Sequence, residues 1–171
     1  MIRVITFLLL MFATATTNVA SAQVKKAPCD TEKHNEFNFW VGDWNVYNKQ
    51  GKLIGANKIL KMHSNCVMQE NWVSKTSNSR GTSYNYVDLT DNTWNQLWVD
   101  NSGYSLVLKG NLVDGKMVLK SDLVKGKKGE YYNRITWTPN KDGSVTQVWE
   151  FISTQGKVIQ EAFRGIYKKK N

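Results

Sequence analysis

Phe37-Asn38-Phe39-Trp40-Val41-Gly42-Asp43-Trp44-Asn45-Val46-Tyr47 is where irregular chain gives way to alternating strand. The stretch holds two of the seven tryptophans around a Gly-Asp-Trp triplet. It predicts a short helical turn over 36–40 that caps one end of a β-barrel, followed by the first barrel strand. Gly42 supplies a sharp bend at the junction, and Trp44 is expected to point into the barrel floor. Trp40, Gly42 and Trp44 are therefore structural candidates. An indole that closes a barrel end buries about 150–250 Å².

Downstream of this stretch, alternating or β-rich runs recur at hairpin spacing. They cover 43–48, 53–62, 66–74, 82–89, 93–100, 104–109, 116–123, 130–138, 144–153 and 158–167. Gln50-Gly51, Thr90-Asp91-Asn92, Asn101-Ser102-Gly103, the Gly-bearing 126–129 and 140–143 segments and Gln155-Gly156 punctuate them. A connection is expected at 110–115. The spacings leave no room for crossover helices. The fold class that follows is all-β, an antiparallel up-and-down barrel of about ten strands, whose closure removes exposed edges.

Upstream, residues 1–22 read as a signal peptide. Met1-Ile2-Arg3 is a basic start, residues 4–13 are an apolar run too short to span a membrane, and Ala20-Ser21-Ala22 is an A-x-A cleavage site. A polar lead-in over 23–35 precedes the barrel domain at 36–167, and a basic tail closes the chain at 168–171. Export to the periplasm or the medium is expected. The two cysteines, Cys29 and Cys66, are expected to pair, because an exported chain meets an oxidising compartment.

The formal charge is +9, from 23 Lys and Arg against 14 Asp and Glu. The lysines are scattered through turns (Lys49, Lys52, Lys125, Lys127, Lys128) or lie in the tail. That is a solvated surface rather than a nucleic-acid patch. No CxxC motif and no Cys/His cluster with zinc spacing is present. Asp88, Asp91 and Asp100 lack the spacing of a calcium loop and read as turn formers. No metal or cofactor is expected, and neither is an integral membrane association. A monomer is expected.

Period-two alternation sorts each strand into two faces. Trp94, Gln96, Trp98 and Asp100 share one. Cys66, Met68, Glu70 and Trp72 share another, and Ser83, Asn85 and Val87 oppose Tyr84 and Tyr86. Arg134 and Thr136 oppose Ile135 and Trp137. Glu70, Asn85, Gln96 and Arg134, walled by Trp72, Trp94 and Trp98, are the candidate ligand-binding set. Glu70 and Arg134 are a candidate internal ion pair. A fat-binding barrel should show a mainly aliphatic interior, whereas these faces mix indoles with polar groups that each need a partner if buried. Two readings stay open: a cavity that takes a small flat or amphipathic molecule, or a filled barrel whose polar groups bond to one another.

Gly42-x-Trp44 after a helical turn, together with Arg164 on the last strand, resembles the calycin group, which includes lipocalins, fatty-acid-binding proteins and nitrobindins. The resemblance implies that Arg164 packs across Trp44. The order Phe39-Trp40-Val41-Gly42-Asp43-Trp44, Cys66-Val67-Met68-x-Glu70-Asn71-Trp72, Trp94-x-Gln96-x-Trp98-Val99-Asp100, Arg134-Ile135-Thr136-Trp137 and Gln147-Val148-Trp149-Glu150 is similar to a family of exported bacterial lipocalin-like proteins. That likeness implies fold and export and carries no activity. Nitrobindins bind haem through a histidine near the C-terminal end of the barrel. Here the histidines are His34 and His63, and neither matches that position.

Binding of a small hydrophobic or amphipathic molecule is the expected job. A barrel enzyme of isomerase or cyclase type using Glu70 and Arg134 is an alternative. A surface module for anionic envelope polymers is another.

Overall fold

The alternation that separates the two faces of each run also requires each run to pair on both sides, since a strand left alone exposes its backbone polar groups. The computed structural model describes residues 27–127 and 129–170. The signal-peptide reading of residues 1–22 lies outside them. The strands are β1 (Gly42–Tyr47), β2 (Leu53–Met62), β3 (Val67–Ser74), β4 (Arg80–Asp88), β5 (Thr93–Asp100), β6 (Ser105–Val113), β7 (Lys116–Lys120), β8 (Val124–Gly126), β9 (Gly129–Pro139), β10 (Val145–Ile152) and β11 (Val158–Lys169).

Each strand from β1 to β6 pairs antiparallel with the next, β7 pairs with β9, and β9, β10 and β11 continue the meander. The last strand returns to the first, with Trp44 opposite Lys169 and Val46 opposite Tyr167. Ten strands thus close into a barrel. The three-residue β8 stands outside the ring as a flap paired only with β9.

Several boundaries differ from expectation; the run expected over 116–123, for one, ends as β7 at Lys120. The strand starting near Tyr104 does not stop at Lys109 but runs to Val113. Gly110 sits inside it because the β7 backbone passes so close that a Cβ there would lie 2.1 Å from the Val118 carbonyl oxygen. The last strand reaches Lys169, so the first two residues of the expected tail are strand. The single turn expected over 36–40 is instead two pieces, an α-helix α1 (Glu32–Asn35) and a 3-10 turn (Asn38–Trp40). Thr31 starts α1 by accepting from the His34 amide at 3.3 Å, the usual service of a helix N-cap. The lead-in therefore carries a start signal of its own.

These two pieces form the barrel floor. Phe37 stacks on Trp40 with centroids 5.0 Å apart. Trp137 meets Phe37 at 5.2 Å and Trp40 at 5.3 Å. Trp44 is fully buried and its Nε1 donates to the Trp40 carbonyl at 2.8 Å. Gly42 has φ +145°, a conformation that side chains rarely adopt, and so allows the chain to swing from the 3-10 turn into β1.

Several links fasten the floor to the wall, among them Lys33 Nζ of α1 to Asn111 Oδ1 of β6 at 2.7 Å and Lys61 Nζ of β2 to Asn35 Oδ1 at 3.2 Å. Trp94 Nε1 on β5 donates to Glu36 Oε2 at 3.1 Å. Cys29 and Cys66 form a disulfide across a sequence separation of 37, tying the segment before α1 to the start of β3. Among the described residues no helix is long and apolar enough to cross a membrane.

Candidate functional site

Strand direction stacks the inward side chains in three tiers. The floor end of β2 to β5 delivers Ile59, Met68, Val87 and Trp94, all buried and apolar. The other end delivers Trp72 and Trp98, and β10 and β11 add Trp149 and Phe163. Between them lies a polar tier.

The polar tier centres on Glu70 of β3, which is 5% exposed. Gln96 Nε2 donates to Asn85 Oδ1 at 2.8 Å, and Asn85 Nδ2 donates to Ser83 Oγ at 2.9 Å. Ser83 then donates to Glu70 Oε2 at 2.7 Å. From the opposite side Asn57 Nδ2 donates to Glu70 Oε1 at 2.7 Å and reaches Tyr167 Oη at 3.4 Å. The Tyr167 hydroxyl donates to Gln147 Oε1. The chain of donors from β5 and β4 and the donor from β2 all end on the carboxyl, which is the pure acceptor of the set when ionised.

Burial pushes the Glu70 carboxyl up from its ordinary range, and the bonds from Ser83 and Asn57 pull part of the way back. Burial also pushes the Tyr167 phenol well above its ordinary range, and the neighbouring Glu70 charge adds to this. No cation among the described residues lies in this tier: its members are Asn57, Glu70, Ser83, Asn85, Gln96, Gln147 and Tyr167.

Above the polar tier is a cavity of about 460 Å³. Its depth is lined by Glu70, Gln96, Gln147 and Tyr167, and its walls by Trp72, Trp98, Trp149 and Phe163. It opens between the 75–79 loop and the β5–β6 turn, since Thr76, Ser77, Ser79, Asp100 and Tyr104 complete its rim. Two glycines set its width. A Cβ at Gly55 would lie 2.0 Å from the Trp72 ring, and one at Gly81 would lie 2.3 Å from the Trp98 ring. Each indole therefore lies flat across a glycine on the adjoining strand instead of projecting into the lumen. Trp72 meets Phe163 edge to face at 5.9 Å, and Tyr104 stacks on Trp149 at 6.5 Å. Trp149 Nε1 is held by Asn133 Oδ1 at 2.9 Å.

Of the residues singled out from the sequence, Glu70, Trp72, Gln96 and Trp98 meet at this cavity. Asn85 is buried one hydrogen bond behind Gln96, and Trp94 belongs to the floor. Arg134 is a correction. It lies on the outer face of β9, where its guanidinium donates to Glu150 Oε2 at 2.8 Å. The inward positions of β9 are Asn133, Ile135 and Trp137, so the Glu70–Arg134 ion pair does not exist.

Arg164 is a second correction. It is engaged by Glu161 at 2.5 Å, and the cation over the Trp44 ring is Lys169, 5.5 Å from its centroid. Lys169 stands directly across the β1–β11 ladder from Trp44, and Arg164 is five residues further along the strand.

Asn57, Ser83, Gln147, Trp149, Phe163 and Tyr167 were not part of the sequence-derived set. The inward face of β10 (Gln147, Trp149, Phe151) was legible from alternation; Asn57 joins the site across the β2–β3 hairpin, and Tyr167 joins it only through barrel closure. Asp91 and Asp100 serve turns: Asp91 accepts from Thr93 at 2.6 Å and Asp100 from Ser102 at 2.6 Å. His63 lies exposed in the β2–β3 turn.

The chain matches no protein-family model, and no curated protein is significantly similar to it.

Proposed function

We propose that this chain is an exported, calycin-like binding protein that holds one small amphipathic molecule inside the barrel. The observation that carries the reading is the cavity of about 460 Å³ between a polar tier and an aromatic mouth. Its volume falls within the ~300–1,000 Å³ of small-molecule pockets. A flat apolar body would stack against Trp72, Trp98 and Trp149, and a polar end would reach Glu70, Gln96 or the amide of Gln147. The Cys29–Cys66 disulfide supports export, because such bonds persist in oxidising compartments.

The alternative of a barrel enzyme that pairs Glu70 with Arg134 loses its second group to the outer surface. The experiment that tests the binding reading has two arms. Native mass spectrometry of protein purified from its own host should show a co-purifying mass. Intrinsic fluorescence should respond to some members of a broad small-molecule panel, because three indoles line the cavity. A protein that carries no added mass and whose emission no compound changes would refute the reading.

A further inference from the structure

The chemistry of the cavity wall narrows the ligand further. The chain as a whole carries a formal charge of +9, yet among the described residues lining the cavity there is no Lys, Arg or His. The charged groups on its wall are both carboxylates, Glu70 in the depth and Asp100 at the rim.

Glu70 is held by two neutral donors, Asn57 and Ser83, one on each oxygen. A carboxylate has about four acceptor positions, so acceptor capacity remains on a group that faces the lumen. A buried carboxylate without a counter-charge is a costly arrangement, and a ligand that brings the opposite charge relieves it. The aromatic walls fit the same sign. Indole faces attract cations through the ring quadrupole, and Trp72, Trp98 and Trp149 all line the space above Glu70. An anionic ligand would meet two carboxylates and no cation.

We propose, building on the binding reading above, that the cavity selects an organic ammonium ion carried on a flat apolar body. The ammonium N–H groups donate to Glu70, and the body lies between the tryptophans of the mouth. An N–H-bearing cation suits the site better than a quaternary one, because the open positions on Glu70 are acceptors. The raised proton affinity of the empty carboxyl adds a signature: capture of the cation fixes Glu70 in its ionised form and expels any proton it holds. The other titratable group facing it is Tyr167 on β11, while β2 and β4 contribute Asn57 and Ser83, which do not titrate.

The test uses the intact protein and a panel of alkyl- and arylalkyl-ammonium compounds, each matched with its isosteric alcohol and carboxylate. Affinities come from calorimetry in buffers of different ionisation enthalpy, which also count protons released. The expected result is a preference for the ammonium of about tenfold or more over the alcohol, the size of a charge-assisted hydrogen bond. Glu70→Gln should erase that preference and leave alcohol binding in place. If Glu70→Gln does not fold, the wild-type preference and its proton count decide alone. Alcohols or carboxylates binding as tightly as the ammonium ions would overturn the cation assignment and leave the cavity reading standing. A panel with no binding member of any charge, on protein that also carries no native mass, would remove both.

Discussion

Trp44 and Glu70 show how differently two buried side chains contribute. Trp44 combines a fully buried ring with a satisfied N–H. We expect Trp44→Ala to lower stability by about 3–5 kcal/mol, the usual cost of emptying an aromatic core position, read as a lower urea midpoint at unchanged slope. Glu70 has the opposite tendency. Its ordinary value is 4.5 and burial raises it, so between the two values the native state binds more protons than the unfolded chain. Stability must then fall as pH rises. The contribution is complete below the ordinary value and is lost through the raised one. Melting temperatures measured across that window should decline more steeply for the ligand-free wild type than for Glu70→Gln; parallel curves would contradict the assignment. Glu70 was legible in the sequence because it shares a face with Met68 and Trp72. Its company was harder to read. Strand β9 offers polar side chains on both faces, Asn133 on one and Arg134 on the other, and alternation alone does not say which face is inward. A signal was present nonetheless: Arg134 and Glu150 sit symmetrically about the 140–144 turn and meet as a cross-strand pair, the ordinary place for opposite charges on a solvated face.

At the scale of elements, the plug under the barrel is a short helix and a single 3-10 turn, neither long enough to be stable alone. It is held by packing and by the disulfide. For a loop of 37 residues, the chain-entropy estimate gives about 3–4 kcal/mol. Reduction, or paired Cys29→Ser and Cys66→Ser substitution, should therefore lower the unfolding free energy by that much, checked by denaturant titration with and without reductant. The mouth is shaped by pairs of elements. Gly81→Ala places a methyl against the Trp98 ring and drives the indole toward the lumen. We expect a stability loss of about 1–3 kcal/mol, as for other overpacked sites, accompanied by weaker binding of every cavity probe regardless of charge. Ten strand-like runs were readable from alternation and turn residues. The extension of β6 through Gly110 was not, because a glycine reads as a break until the neighbouring strand that needs it is in place. The small β8 flap was missed for a similar reason: three residues carry too little pattern to register.

For the whole molecule, closure of the sheet is the event that builds the site. Tyr167 and Asn57 are 110 positions apart and meet because β11 pairs with β1 and β1 with β2. No local pattern could announce that contact, whereas the ring itself followed from strand count and short turns. Among the described residues no Lys or Arg is buried, and the two carboxylates lie on the cavity wall. Neutral cavity probes should consequently bind with nearly the same affinity at low and high salt, where screening acts on exposed charges; a steep loss of affinity with salt, seen by fluorescence titration, would point to the outer surface instead. Closure has one more effect. With an even number of strands running alternately up and down, β1 enters and β11 leaves at the same end, as the pairing of Trp44 with Lys169 requires. A purification handle or a sensor-chip tether attached ahead of α1 or after Lys170 is thereby kept on the far side from the opening, and the anchored protein can be screened against compounds with its entrance clear.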